Sequence, residues 1–205
     1  MGSRPASEPE VIALIVVAHP CADSFAHEAA SRARSGLKAA GHSVTVVDLY
    51  AEQFMPAMSQ AERLAYHSAT PAVDAIVIAH CELVRAAQIV VFVYPTWWSG
   101  LPAMLKGWLD KVMVPGVAFT FNSSGKVRPG LTHVRRIVGI STYGSPRAYV
   151  AAMNDNGRRI ITRALRVSCG LRTRTTWMGL YAMDTRSDAD RAAFLDRIEQ
   201  KMGSI

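Results

Sequence analysis

The chain has 205 residues, half of them hydrophobic and 19% charged, with a formal net charge of +7. That balance excludes a disordered chain and suits a single core large enough to stand without staples, and no apolar run is long enough to span a bilayer. The three cysteines, Cys21, Cys81 and Cys169, are scattered without a CxxC pair, which argues against a disulfide framework or a cysteine-rich zinc site.

Residues 1–10 are small and polar and are expected as a loose tail, leaving 11–205 as one domain. The run 11–18 is wholly apolar and predicts a first strand. It is too short for a signal-peptide core, and position 6 is not the Ser or Thr of a myristoylation signal, so a cytoplasmic protein is expected. A helix follows to about residue 40, with Asp23 or Ser24 as its N-cap and Gly41 as its stop. A second strand is predicted over 44–49, then a Pro-containing connection over 51–60 and a short helix over 59–66. Thr70-Pro71 is expected to open the next helix, along which Val73, Ile76, Val77, His80, Leu83 and Val84 recur. A third strand is predicted over 89–94 and a helix over 101–113, with Pro102 at its first turn. Phe119-Thr120-Phe121 predicts a short strand or hairpin. A fourth strand over 136–141, a helix over 148–167, a fifth strand over 173–178 and a closing helix over 188–202 complete the chain. Five alternations of strand and helix predict an α/β fold: a doubly wound, five-stranded parallel sheet with helices on both faces.

In such sheets ligands sit outside the carboxyl ends of the strands, which directs attention to the loops 19–27, 94–100 and 141–147. The first runs into a helix, so free amides and the positive end of the helix dipole are available to a phosphate; an ordinary capped helix is the plain alternative. The second carries Trp97-Trp98, an aromatic wall for something flat, where core packing is the rival explanation. Several chemistries fail on pattern. No GxG occurs among the 14 glycines, Gly125-Lys126 lacks the glycine and hydroxyl of a P-loop, and Gly139-Ile140-Ser141-Thr142-Tyr143 misses the last glycine of a nucleophile elbow. His27-Glu28 has no second histidine at position 31, and the spacing of His19, Cys21 and His27 is not specific to a metal. Arg159, Arg163 and Arg166 share one helical face beside Arg158. No basic–aromatic interleaving accompanies them, so a solvated face is expected and not a nucleic-acid surface. What remains is a flat aromatic cofactor bearing phosphate.

Ala18-His19-Pro20 with Ser24-Phe25, Gly41-His42, Asp48-Leu49-Tyr50, and the long motif Pro95-x-Trp97-Trp98-x-Gly100-x-Pro102-Ala103-x-Leu105-Lys106-Gly107-Trp108-x-Asp110-Lys111-Val112 closely resemble the NAD(P)H:quinone oxidoreductases (DT-diaphorase-like) of the flavodoxin-like fold. The resemblance runs over about residues 11–200. It implies a flavin-dependent, two-electron reductase of quinones or similar acceptors, with NAD(P)H as donor and a homodimer whose site lies at the subunit interface. It further implies that His19, Ser24, Phe25 and Ala26 grip the phosphates. Pro95, Thr96, Trp97, Trp98 and Ser99 then line the isoalloxazine, and Ser141, Thr142, Tyr143 and Gly144 complete the ring contacts. Tyr149 corresponds to the family's catalytic tyrosine. The family's histidine is absent, with Asp155 or Asn156 at the corresponding distance. Arg191 resembles an arginine that meets the adenosine of FAD, which favours FAD over FMN; NADH and NADPH are not separated. The same resemblance leaves open an azo- or nitro-reductase on this site, or a flavin-binding regulatory subunit of a potassium-efflux transporter.

Overall fold

A computed structural model describes residues 11–205; the expected tail at 1–10 lies outside the described residues. Five parallel strands, β1 (Ile12–Val17), β2 (Ser43–Asp48), β3 (Ile89–Pro95), β6 (Arg136–Thr142) and β7 (Arg174–Leu180), pair in the order β2-β1-β3-β6-β7. A separate antiparallel hairpin joins β4 (Phe119–Phe121) to β5 (Val127–Pro129), resolving the Phe119-Thr120-Phe121 segment as a hairpin arm.

The unbroken apolar runs arise because both sheet faces are covered. Along β1, Leu14 and Val16 turn to one face and Ala13, Ile15 and Val17 to the other; along β3, Val90, Phe92 and Tyr94 alternate in the same way with Ile89, Val91 and Val93. The first face packs against α3 (Ala75–Ala86) and α4 (Ala103–Val112), the second against α1 (Phe25–Ala39) and α8 (Asp188–Met202). Helices α1 and α8 approach closely at Gly36, where a Cβ would collide with the Glu199 carbonyl. Among the described residues no helix is long and apolar enough to cross a membrane.

Helix starts follow local capping chemistry. Ser24, not Asp23, caps α1, its hydroxyl accepting from the His27 amide, and the short helix α2 (Gln60–Ala65) opens on a capping box between Ser59 and Glu62. The third helix begins later than Thr70-Pro71 suggests: Asp74 captures the Ile76 amide at 3.0 Å and sets the start at Ala75. The largest departure lies at 148–167, where one helix is expected. The chain instead forms α5 (Arg147–Ala152), breaks, resumes as α6 (Asn156–Arg159), passes through a π-helical turn at Ile160–Ala164 and ends as α7 (Leu165–Cys169). Asn154 and Asp155 adopt left-handed backbone at φ +70° and +44°, a conformation these two residue types tolerate best after glycine.

The sheet also fixes where a ligand belongs. Strand β1 lies between β2 and β3, so the chain leaves β1 towards one edge and crosses back to β3 on its other side. The loops after β1 and β3 diverge there and leave a crevice at the carboxyl edge.

Candidate functional site

Three loops meet at that edge. The first is an extension of β1: the Ala18 amide donates to the Val93 carbonyl at 3.0 Å, and the Cys21 amide then donates to His19 Nδ1 at 3.1 Å. Ser24 Oγ lies 2.8 Å from His27 Nδ1, and His27 Nε2 lies 2.8 Å from Asp48 Oδ2 at the end of β2. Asp48 in turn accepts from the Tyr50 and Ala51 amides through Oδ1. His27 therefore ties the start of α1 to the end of β2. The Phe25 ring stacks on Phe194 at 6.2 Å and Ala26 is buried, so what these two residues offer a ligand is main-chain amides in the first turn of a fifteen-residue helix.

The second loop closes on itself. Trp97 and Gly100 exchange main-chain hydrogen bonds at 3.3 and 3.0 Å, with Trp98 at φ +47° and Ser99 at φ +56° between them. Two left-handed residues in succession make a type I′ turn, which normally selects Asn-Gly. Here a bulky side chain is held in a conformation costing about 1–2 kcal/mol, strain of the kind that clusters at ligand sites. Trp98 is fully exposed and Trp97 is 42% exposed, its ring 6.2 Å from that of His19. The motif's third tryptophan behaves in the opposite way: Trp108 is buried and its indole N–H donates to His80 at 3.1 Å. Burial therefore separates Trp108, a core residue, from Trp97 and Trp98.

The third loop is braced against the second. The Thr96 amide donates to the Thr142 carbonyl at 2.8 Å, and the Thr96 hydroxyl lies 2.8 Å from that of buried Ser141. Pro95 pairs with Thr142 at the end of the β3–β6 ladder. Tyr143 is buried, stacked on Tyr181 with centroids 4.5 Å apart, and its hydroxyl donates to Asp155 Oδ1 at 2.9 Å. Burial, with the Asp155 carboxylate beside it, pushes the Tyr143 phenol far above its ordinary value; burial does the same to Tyr94. Both stay neutral phenols at any physiological pH. The buried thiols of Cys81 and Cys169 are pushed up to about 11 and about 12, which removes them as nucleophiles.

A cavity of about 290 Å³ lies between the second and third loops, walled by Thr96, Trp98, Ser99, Tyr143 and Gly144 on one side and by Ser145, Tyr149, Val150 and Asp155 on the other. The structure thus brings Tyr149 to the same cavity as five of the residues expected to line a ring. Pro95, Trp97, Ser141 and Thr142 lie on the same two loops without lining the cavity, and Ser24 and His19 lie on the first loop, also outside its lining. Arg191 sits in the first turn of α8, which packs alongside α1; it donates to the Arg186 carbonyl at 2.8 Å and keeps a buried Nε with no partner among the described residues. Ser145 falls in the candidate loop 141–147 but is not singled out by the sequence, and Val150 joins the cavity because the helix expected over 148–167 breaks after Ala152, where Asn154-Asp155 is the local signal.

A doubly wound parallel sheet with three loops gathered at its switch point defines the class: an open-sheet α/β protein whose ligand-binding edge is the carboxyl end of the strands. The sequence pattern of the flavodoxin-like fold matches residues 13–202. Over 154 residues the chain is 32% identical to NAD(P)H dehydrogenase (quinone) 1 of Rattus norvegicus, covering 67% of this chain and 55% of the rat protein. It is 30% identical over 166 residues to ribosyldihydronicotinamide dehydrogenase (quinone) of Homo sapiens, covering 71% of this chain and 69% of the human one. The solved structure of an NAD(P)H:quinone oxidoreductase from Methanothermobacter marburgensis superposes with a TM-score of 0.78 at 25% identity, over 95% of this chain and 96% of that one. The chain belongs to the NAD(P)H:quinone oxidoreductase family of the flavodoxin-like fold. It spans little more than half the length of the rat relative.

Proposed function

We propose that this protein is a flavin-dependent reductase that takes two electrons as hydride from NAD(P)H and passes them to a quinone or similarly flat acceptor. The observation that carries the reading is Trp98: a fully exposed tryptophan held in a left-handed turn and walling a cavity, its neighbour Trp97 standing 6.2 Å from His19 on the loop that leads into the amide-bearing start of α1. A molecule with an anionic tail and a flat apolar ring fits those two features together. In this reading the Phe25 and Ala26 amides and the Ser24 hydroxyl, with His19 beside them, hold phosphate. Residues Pro95, Thr96, Trp97, Trp98 and Ser99 receive one side of the ring system, and Ser141, Thr142, Tyr143 and Gly144 the other. Arg191, on the helix packed along α1, meets an adenosine group, which favours FAD over FMN. When bound, the flavin supplies the two-electron chemistry.

The chain's own residues bind, orient and manage protons. Asp155 accepts the Tyr143 hydrogen and fixes the direction of that phenol in the cavity wall. Tyr149 is half exposed on α5 at the mouth, which leaves its hydroxyl free to hold a proton beside the reacting atoms. The cavity is open on one chain, with Trp98 and Tyr149 exposed on its wall, and a second copy of the chain covering them makes the functional unit a homodimer. Three free cysteines fit a reducing, cytoplasmic setting.

An absorbance spectrum of the purified protein, with mass identification of whatever denaturation releases, tests the reading. Flavin bands bleached by anaerobic NADPH or NADH are expected, with a mass that distinguishes FAD from FMN. A colourless protein that also fails to take up added FAD or FMN overturns it.

A further inference from the structure

The break in the helix after β6 builds a second cavity of about 280 Å³, lined by Arg147, Arg158, Arg159 and Arg163 with Asp155 and Tyr181. In an unbroken helix Arg147 and Arg158 would stand roughly 16 Å apart along the axis; the break turns both onto one hollow. Four guanidinium groups face a single carboxylate, and that carboxylate already accepts the Tyr143 hydroxyl. Among the described residues none of the four pairs with a carboxylate or donates a side-chain hydrogen bond. Arg32, Arg85, Arg166, Arg186 and Arg191, by contrast, are all engaged. Arg166, which shares a sequence face with Arg159 and Arg163, is turned away to bond the Thr173 and Leu171 carbonyls. The cluster is therefore a hollow of uncompensated positive charge on a solvated face.

This hollow adjoins the cavity behind Trp98. Val150 and Asp155 line both, and the stacked pair of Tyr143 and Tyr181 forms the shared wall, one ring on each side. Concave clusters of one charge sign focus field and concentrate small anions, and the planar guanidinium fork matches phosphate oxygens two at a time. Resting on the reductase reading, we propose that the hollow takes the 2′-phosphate of NADPH, so that the protein selects the phosphorylated donor over NADH. A compact hollow beside the reaction cavity suits a small polyanion reaching out of that cavity, and does not follow the extended stripe that a nucleic-acid backbone needs.

The test uses the protein as purified, with calorimetric titration of adenosine 2′,5′-bisphosphate, ADP and AMP, and steady-state rates with NADPH and NADH. The bisphosphate is expected to bind at least tenfold more tightly than AMP and more tightly than ADP, and kcat/KM to favour NADPH at least tenfold, chiefly through KM. In Arg158→Ala/Arg163→Ala both preferences should fall to near unity, and Arg158→Lys/Arg163→Lys should restore only part of them. Flavin content and thermal midpoint report whether the variants remain folded. Equal binding of bisphosphate and AMP, or a donor preference that survives in a folded double-alanine variant, overturns the proposal. A hollow that instead discriminates sulfonated from unsulfonated quinone acceptors, indifferent to the donor, overturns it in favour of an acceptor subsite. A protein without flavin that still binds the bisphosphate selectively sinks the reductase reading and keeps the anion site.

Discussion

Helix α4 follows the tryptophan loop and is held in place by one buried cation, so replacing that cation tests how the loop is supported. Lys111 is buried, with Nζ donating to the Met55 carbonyl at 2.8 Å, standing 2.9 Å from Glu62 Oε1 outside hydrogen-bond geometry, and lying 5.1 Å from the centre of the Phe54 ring. Glu62 is also buried and caps α2 through Oε2, which accepts from the Ser59 amide at 2.7 Å. Lys111→Met removes the charge, leaving the buried Glu62 carboxylate without its cation and the Met55 carbonyl without that donor. Breaking a buried pair from one side costs about 3–5 kcal/mol. At about 2–4 °C per kcal/mol for a chain of this size, that is a fall in Tm of roughly 6–20 °C. Lys111→Met/Glu62→Gln should recover most of the fall, because it neutralises the stranded carboxylate and keeps an oxygen to cap α2.

The same pair carries a pH signature. Burial pushes the Glu62 carboxyl up, but the Ser59 amide and the Lys111 ammonium outweigh it and hold the group below its ordinary value of 4.5. A carboxyl lowered by folding contributes stability that is full above its unfolded value and is lost as pH falls through its folded value. The gap in Tm between wild type and Lys111→Met should therefore be widest near neutrality and narrow below about pH 4.5. Scanning calorimetry across pH reads both effects. A fall of less than 3 °C (about 1 kcal/mol) at neutral pH, or a double variant no better than Lys111→Met, would refute the reasoning.

Three further outcomes test the site. Trp98→Ala removes about 100 Å² of one ring face, worth about 2.5 kcal/mol at 25 cal/mol/Å², so the flavin dissociation constant should rise by about 70-fold; fluorescence titration giving an unchanged constant would remove Trp98 from the ring contacts. Tyr149→Phe should slow anaerobic flavin reduction at least ~10-fold while leaving flavin content intact, and a reductive half-reaction at the wild-type rate would end its assignment as proton holder. Gly157→Ala puts a Cβ 3.3 Å from the Gly100 carbonyl carbon and the Tyr94 hydroxyl. The gain in helix propensity, about 1 kcal/mol, offsets the crowding, so Tm should barely move while flavin affinity falls; affinity equal to wild type would mean the 97–100 turn does not feel α6.

Strands were legible because burial on both faces writes an uninterrupted apolar run, and β1, β3 and β6 fall within a residue or two of the expected spans. The closing helix has the predicted span 188–202, and the structure shows its start fixed by a capping box between Ser187 and Asp190. Where two signals competed, the stronger-looking one misled. Pro71 resembles a first helical residue, yet Asp74 supplies the side-chain acceptor that starts the helix. Apolar periodicity runs through 148–167, while Asn154-Asp155-Asn156-Gly157 within it is turn chemistry, and the turn prevailed. The site loops could be located because they follow strand ends. The bonds that organise them could not, since Ser24–His27–Asp48 and Tyr143–Asp155 join residues whose proximity depends on the finished sheet and the broken helix.

Backbone strain links those loops to one another. Six non-glycine residues among those described have positive φ, and four of them, Trp98, Ser99, Asn154 and Asp155, lie in two pairs at the same cavity and its arginine-lined neighbour. Each costs of order 1–3 kcal/mol and persists only where surrounding contacts over-determine it. Those contacts are identifiable. The Trp97–Gly100 hydrogen bonds close the first pair and the Asp155–Tyr143 bond anchors the second. Gly157, buried against Gly100, lets α6 press directly on the tryptophan turn. The helix break is therefore part of the site: it brings Asp155 to the cavity wall, turns the arginines into the adjoining hollow, and supports from behind the turn that presents Trp98. A straight helix over the same residues would bury the same apolar face and form none of these three contacts.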